Sequence, residues 1–180
     1  PDILKRMHRR GTREDILRCV RGARDRGLTL RTTLITGFPG ETEEDFLDTL
    51  DVVEKVRFDS AFTFIYSKRT GTRAASMPDQ VPEDICSDRF NRLLERVTFI
   101  SREQTKQYEG MTLPVLAEEI NQKDPSLLSG RLSNNSVVHF KCPSDMIGKI
   151  INVHLDEAKG FYYYGTVADD VSISGDKETI

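Results

Sequence analysis

The chain has 180 residues, 37% of them hydrophobic, and its 26 Lys and Arg against 29 Asp and Glu leave a formal net charge of −3. That length holds one core or two small ones; with no apolar run near the roughly 18 residues of a membrane helix and no apolar signal core in PDILKRMHRR, a cytoplasmic protein with no membrane partner is expected. The cysteines, Cys19, Cys86 and Cys142, are odd in number and far apart with no CxxC, which argues against a disulfide framework or a zinc site and leaves no metal ligands.

The opening segment is basic: residues 1–31 hold ten Lys and Arg against four Asp and Glu, whereas residues 32–109 hold ten against fifteen. A solvated helix face and a phosphate-binding patch both fit that charge. The segment lacks a starting Met and opens on an apolar–basic pattern, as a piece of a longer chain would. The first clear helix begins at Thr12, a capping residue with Asp15 three positions later in capping-box spacing. Ile16, Leu17, Val20 and Ala23 recur at helical spacing, and Gly27 stands where a left-handed cap belongs.

Leu28–Thr36 is short and β-rich, so a strand is predicted, ended sharply by Gly37-Phe38-Pro39-Gly40. Thr42 then caps a second helix whose Glu43, Glu44 and Asp45 suit its positive end. Phe46, Leu47, Leu50, Val53 and Val56 are its expected buried face, and Ala61–Tyr66 is the next strand. Helix, strand, helix, strand with short connections implies parallel strands with helical crossovers. Two strands alone make no stable sheet, so further strands are expected from sequence outside this chain. A loop rich in Gly, Pro and small polar residues, Ser67–Pro82, leads into a helix that runs to about Gln107, with Ile85, Phe90, Leu93, Leu94, Val97 and Ile100 as its apolar positions.

Near Gly110 the pattern changes to five short β segments: Met111–Glu119, Leu127–Ser133, Val137–Lys141, Ile150–Asp156 and Tyr162–Val167. Turn residues separate them, which predicts a small five-stranded antiparallel barrel. Three regions follow: 1–109, 110–168 and a polar, disordered tail over 169–180.

Four stretches carry a family resemblance. ITGFPGETEEDF (Ile35–Phe46), LKRMHRRGTRE (Leu4–Glu14), RFDSAFTFIYSKRTGTRAA (Arg57–Ala75) and MPDQVPED (Met77–Asp84) resemble, in order, segments of the radical S-adenosylmethionine (SAM) methylthiotransferases. KDPSLLSGR, VVHF, IGKIINVHLDEAK and YYYGTV resemble the TRAM domain, a small OB-like barrel. The resemblance implies an α/β fold, a partial radical SAM (β/α) barrel followed by an all-β TRAM barrel that binds RNA. It also implies SAM and two [4Fe–4S] clusters, one of which reduces SAM to a 5′-deoxyadenosyl radical. Cluster ligands are thiolates, and this chain has neither set of them, so the chain alone is expected to be inert.

Two branches of the family differ in substrate. The MiaB branch methylthiolates C2 of N6-isopentenyladenosine-37 beside the anticodon of tRNA; the RimO branch modifies an aspartate of a ribosomal protein. RRGTRE and LRTTLITGFPGE resemble the RimO branch, whereas the longer stretch from Arg57 onward resembles the MiaB branch. The weight falls on tRNA, bound through its anticodon stem-loop, with the ribosomal protein as the alternative partner. A non-catalytic RNA- or protein-binding module is the competing class.

By resemblance, Leu34, Ile35 and Gly37 meet the adenine of SAM, and Tyr66, Ser67 and Arg69 contact SAM or substrate. Gly37 and Gly40 would let the chain approach a ligand closely. Plain core packing for Leu34 and Ile35, and a loop charge for Arg69, are the bland alternatives. In the β region, Arg131, Asn135, His139, Phe140 and Lys159 are the candidate RNA contacts, with Lys141 and Lys149 as further cations and Tyr162–Tyr164 for stacking. Ser133 and Ser136 stand where the family pattern GRTR-x-NK has cations. Residues 110–168 carry five Lys and Arg against six Asp and Glu, so any phosphate-binding surface there must be local.

Overall fold

The computed structural model describes residues 2–168 and divides into two compact units between Gln104 and Thr105. The tail expected over 169–180 lies outside the described residues.

The first unit opens with a short helix that the sequence reading did not anticipate, α1 (Asp2–Arg6), followed by α2 (Arg13–Arg24), β1 (Arg31–Thr36), α3 (Glu43–Val56) and β2 (Ser60–Ile65). A long helix, α4 (Glu83–Lys106), follows the loop. Both predicted helix starts are capped. Thr12 and Thr42 each accept from the backbone N–H three residues on, at 3.2 Å, while the Asp15 and Asp45 carboxylates accept from the cap N–H groups at 2.9 and 3.1 Å. Each box satisfies two of the donors a helix start leaves unpaired. Gly27, at φ 69°, ends α2: its N–H donates to Arg24 O at 2.8 Å and that of Leu28 to Ala23 O at 3.1 Å. These two bonds are a Schellman closure, which needs the left-handed residue glycine supplies.

Strands β1 and β2 pair in parallel, Arg31 opposite Ser60 through Thr36 opposite Ile65. One face packs Leu34 and Ala61 against α3, whose Phe46 and Val53 join Leu93, Val97 and Ile100 of α4 in one buried cluster. The expected α3 face is narrower than drawn, because Leu47 is 47% exposed. Ile85 and Leu94 of α4 are likewise exposed. The other sheet face leaves Ile35, Phe62 and Phe64 exposed. The loop after β2 contains one 3₁₀ turn, Arg73–Ser76, capped by the Thr72 hydroxyl.

The second unit is a closed barrel of β3 (Thr112–Ile120), β4 (Leu128–Leu132), β5 (Val137–Phe140), β6 (Ile150–Ala158) and β7 (Tyr162–Val167). Its ring order is β3-β4-β5-β7-β6, closed by β3 against β6. The antiparallel expectation needs correction: β5 and β7 run parallel, Val137 opposite Tyr162 through Phe140 opposite Gly165. Placing β7 between β5 and β6 forces this, since β6 and β7 are an antiparallel pair and β7 then meets β5 in the same direction. Alternation along the strands sends Val115, Ala117, Leu128, Leu132, Val138, Phe140, Ile151, Val153, Leu155 and Tyr163 into one core. Gly130 faces inward at a tight crossing; a Cβ there would lie 2.5 Å from Leu116 O and 2.6 Å from Val115 Cγ1.

Candidate functional site

In the first unit the predicted cofactor residues gather at the ends of β1 and β2. The chain leaves β1 at Thr36, turns through Gly37 (φ 76°) and Gly40 (φ 84°), and enters α3. This turn is fastened from several sides. Glu41 accepts from the Gly37 N–H at 2.8 Å and from Arg89 Nη1 at 2.9 Å. Arg89 also donates to Glu41 O at 3.0 Å and to Glu43 at 3.2 Å. Both Arg89 and Glu41 side chains are 6% exposed. Burial pushes the Glu41 carboxyl above its ordinary value against the Gly37 and Arg89 hydrogen bonds. The Gly40 N–H donates to Asp79 O at 2.7 Å, and Arg6 donates to Pro39 O at 2.9 Å.

The two glycines make room for the protein's own side chains. A Cβ on Gly37 would lie 2.4 Å from Cys86 Sγ, and one on Gly40 would lie 1.7 Å from the Arg6 guanidinium. Close approach to a ligand is therefore not what the backbone needs glycine for here. Leu34 is half-buried toward α3, Ile35 points to the open sheet face, and Gly37 is buried in the turn. Tyr66 is half-buried, its ring 5.4 Å from that of Phe38 and its N–H on Thr36 O at 2.8 Å. Ser67 and Arg69 are exposed. The buried hydroxyls of Thr36 and Tyr66 have no hydrogen-bond partner. Such orphans are rare in folded proteins, and here one closes β1 and the other directly follows β2.

A metal cluster does not fit. Cys19 is exposed, Cys86 buried and Cys142 half-buried, and among the described residues no three His, Cys, Asp or Glu come together as a ligand set.

In the barrel the structure separates the candidate RNA residues. Phe140 is 0% exposed in the core, as is Tyr163, so neither reaches a ligand. Arg131 is half-exposed, with Nε 3.0 Å from Glu118 and Nη1 3.1 Å from the side chain of Asn135. Asn135 sits at φ 66° in the β4–β5 turn. Lys159 is paired with Glu157, while Lys141 and Lys149 are exposed. His139, Tyr162 and Tyr164 do come together. Their ring centroids lie 5.1 Å (His139–Tyr162), 5.8 Å (His139–Tyr164) and 5.7 Å (Tyr162–Tyr164) apart on the outer face. Asn121 and Ser129, which the sequence did not mark, hold the His139 ring at 2.9 and 3.0 Å. Arg89 was also missed. Its signal was visible: Cys86, Arg89, Leu93, Val97 and Ile100 form one helical stripe with a single charge on the apolar side.

Comparison with known proteins agrees with both units. Residues 1–53 match the Radical SAM superfamily and residues 106–168 the TRAM domain. The first match lies within the first unit and the second spans the barrel. It is 52% identical over 175 residues, 94% of the chain, to the tRNA-2-methylthio-N(6)-dimethylallyladenosine synthase of Lachnoclostridium phytofermentans. It is 46% identical to the enzyme of that name from Acetivibrio thermocellus and 47% to that from Clostridioides difficile, over 92% and 93% of the chain. The chain spans 38%, 35% and 36% of these three relatives, little more than a third of their length. Among the described residues no helix is long and apolar enough to cross a membrane.

Proposed function

We propose that this chain is part of a radical SAM tRNA methylthiotransferase, which adds a methylthio group to C2 of N6-isopentenyladenosine-37, and that its TRAM barrel holds the tRNA. The observation that carries the reading is the similarity, over more than nine-tenths of the chain, to enzymes named for that product. Leu34, Ile35 and Gly37 at the end of β1, with Tyr66, Ser67 and Arg69 after β2, would hold SAM, and the orphan hydroxyls of Thr36 and Tyr66 suit its polar groups. SAM held by these residues would supply the methyl group and the radical. The two [4Fe–4S] clusters would be held by other parts of the whole enzyme, because the cysteines of this chain do not fit them.

Filter binding of the chain to a tRNA with adenosine at position 37, at two salt concentrations, tests the RNA role. With five cations against six acids over 110–168, modest affinity and a shallow salt slope are expected. Arg131→Ala should weaken binding, because its planar charged group suits phosphate. Glu103→Ala, which loses the ion pair to Arg57 in the first unit, should not. Binding to the ribosomal protein with none to tRNA would reassign the substrate.

A further inference from the structure

We propose that Tyr162, Tyr164 and His139 form a stacking platform for one unpaired RNA base, with the Nε2–H of His139 as a fixed hydrogen-bond donor beside it. The inference rests on the reading that the barrel holds RNA and specifies where on the barrel an RNA strand is read.

The platform comes from the strand register. Ser129, His139 and Tyr164 are direct neighbours across β4, β5 and β7, and Tyr162 lies two residues before Tyr164 on the same face. Their neighbours in sequence, Leu128, Phe140 and Tyr163, point into the core, so the row points outward. Tyr164 is 38% exposed and the other two rings are half-buried. The rings meet tilted or edge-on, at 56°, 51° and 82°, so no two of them are stacked face to face, and each keeps part of its ring at the outer surface.

The tautomer of His139 follows from its partners. Asn121 Oδ1 accepts from the backbone N–H groups of Lys123 at 2.9 Å and Asp124 at 3.1 Å. The amide orientation is therefore set, and it is Nδ2 that faces His139 Nδ1 at 2.9 Å. Nδ1 must accept, with the Ser129 hydroxyl as a second donor at 3.0 Å. A neutral ring then carries its proton on Nε2. Burial, with the nearby charge of Lys123, pushes the His139 pKa below its ordinary value and keeps the ring neutral at pH 7.

Two cations act on the rings electrostatically, Lys159 while paired with Glu157. Lys123 is near enough to act on His139, and the ammonium of Lys159 feels Tyr162 and Tyr164. A nucleotide offers a π-face, acceptor atoms and a phosphate; the surface offers rings, a fixed donor and the exposed ammonium of Lys123. In a duplex the faces of the bases are covered by their neighbours, so this site selects an unpaired one.

The test uses the whole 180-residue chain and a short single-stranded RNA with one 2-aminopurine, whose fluorescence falls when it stacks. Binding should quench the probe, and a duplex of the same sequence should bind more weakly and without quenching. Tyr162→Leu with Tyr164→Leu should lose about tenfold to hundredfold in affinity together with the quench, whereas the Tyr→Phe pair, which keeps the rings, should retain both. If the Leu pair still binds tRNA and quenches like the unaltered chain, the platform is wrong and the RNA role of the barrel stands. If the unaltered chain binds neither RNA, both readings fall. An NMR spectrum of the free chain with the His139 proton on Nδ1 would overturn the donor assignment, whatever the variants do.

Discussion

Replacing Arg89 with Met isolates the contact that ties the Gly37–Glu41 turn to α4. The guanidinium and the Glu41 carboxylate are each 6% exposed, so solvent cannot rescue what is left behind. The substitution removes hydrogen bonds of 2.9, 3.0 and 3.2 Å to Glu41 and Glu43 and a cation 5.9 Å from the centre of the Phe46 ring. Removing one partner of a buried ion pair costs about 3–5 kcal/mol, because the other charge stays buried and uncompensated. The expected loss at pH 7 is in that range. Among the described residues the α-helices lie in the first unit, apart from the last residues of α4, so the far-UV helix signal in urea reports this loss. The pH dependence follows from Glu41, whose pKa is already raised by burial and rises further once Arg89 is gone. A carboxyl raised in the folded state contributes stability below its unfolded value, and that contribution is lost as pH rises through the folded one. The deficit of Arg89→Met should therefore shrink toward acid pH, and adding Glu41→Gln, which keeps an acceptor for the Gly37 N–H, should recover part of it at pH 7. A loss under about 1 kcal/mol at pH 7, within the range of exposed pairs, or a deficit that grows on acidification would refute this account of the turn.

Two further outcomes are expected. Gly37→Ala should destabilise the first unit by about 1–3 kcal/mol through overpacking, since its Cβ meets Cys86 Sγ at 2.4 Å and its φ of 76° strains any side chain. Cys86→Ala should relieve the steric part but not the backbone part, and a double-mutant cycle in urea reads the coupling. Tyr163→Phe removes a buried hydroxyl that donates to Thr105 O at 3.0 Å and should cost the barrel about 1 kcal/mol in thermal unfolding. Burial pushes the Tyr163 pKa up, so a spectrophotometric titration should show its phenol ionising only as the barrel opens.

Much of this was legible in the sequence. Thr12 and Thr42 announced their helices because capping is local chemistry, and Gly27 announced an end for the same reason. The five β segments were visible from alternation and turns. The parallel β5–β7 pair was not, because ring order depends on contacts between strands far apart in sequence. At the barrel surface, alternation placed Phe140 inward as soon as His139 was taken to point outward; reading the two as adjacent contacts ignored the period of a strand. The aromatic cluster itself depends on the parallel register of β5 and β7. Asn121 was invisible because its role lies in a turn that folds back on a strand eighteen residues away. In the first unit, Glu41 was noticed only as part of a motif. Its partner Arg89 lies 48 residues on, and a buried charge on an apolar stripe is the cue that would have joined them.

The last strand of the barrel is inserted between two others rather than added at a side. Until residues 162–167 have left the ribosome, β5 and β6 each have an edge whose partner does not yet exist. Open edges of this kind recruit strands from other chains. A nascent or prematurely terminated chain ending before Tyr162 is therefore a candidate for aggregation and for chaperone capture, not for partial function. Truncation products of this length should partition into the insoluble fraction, because the barrel has no closed ring until β7 is in place.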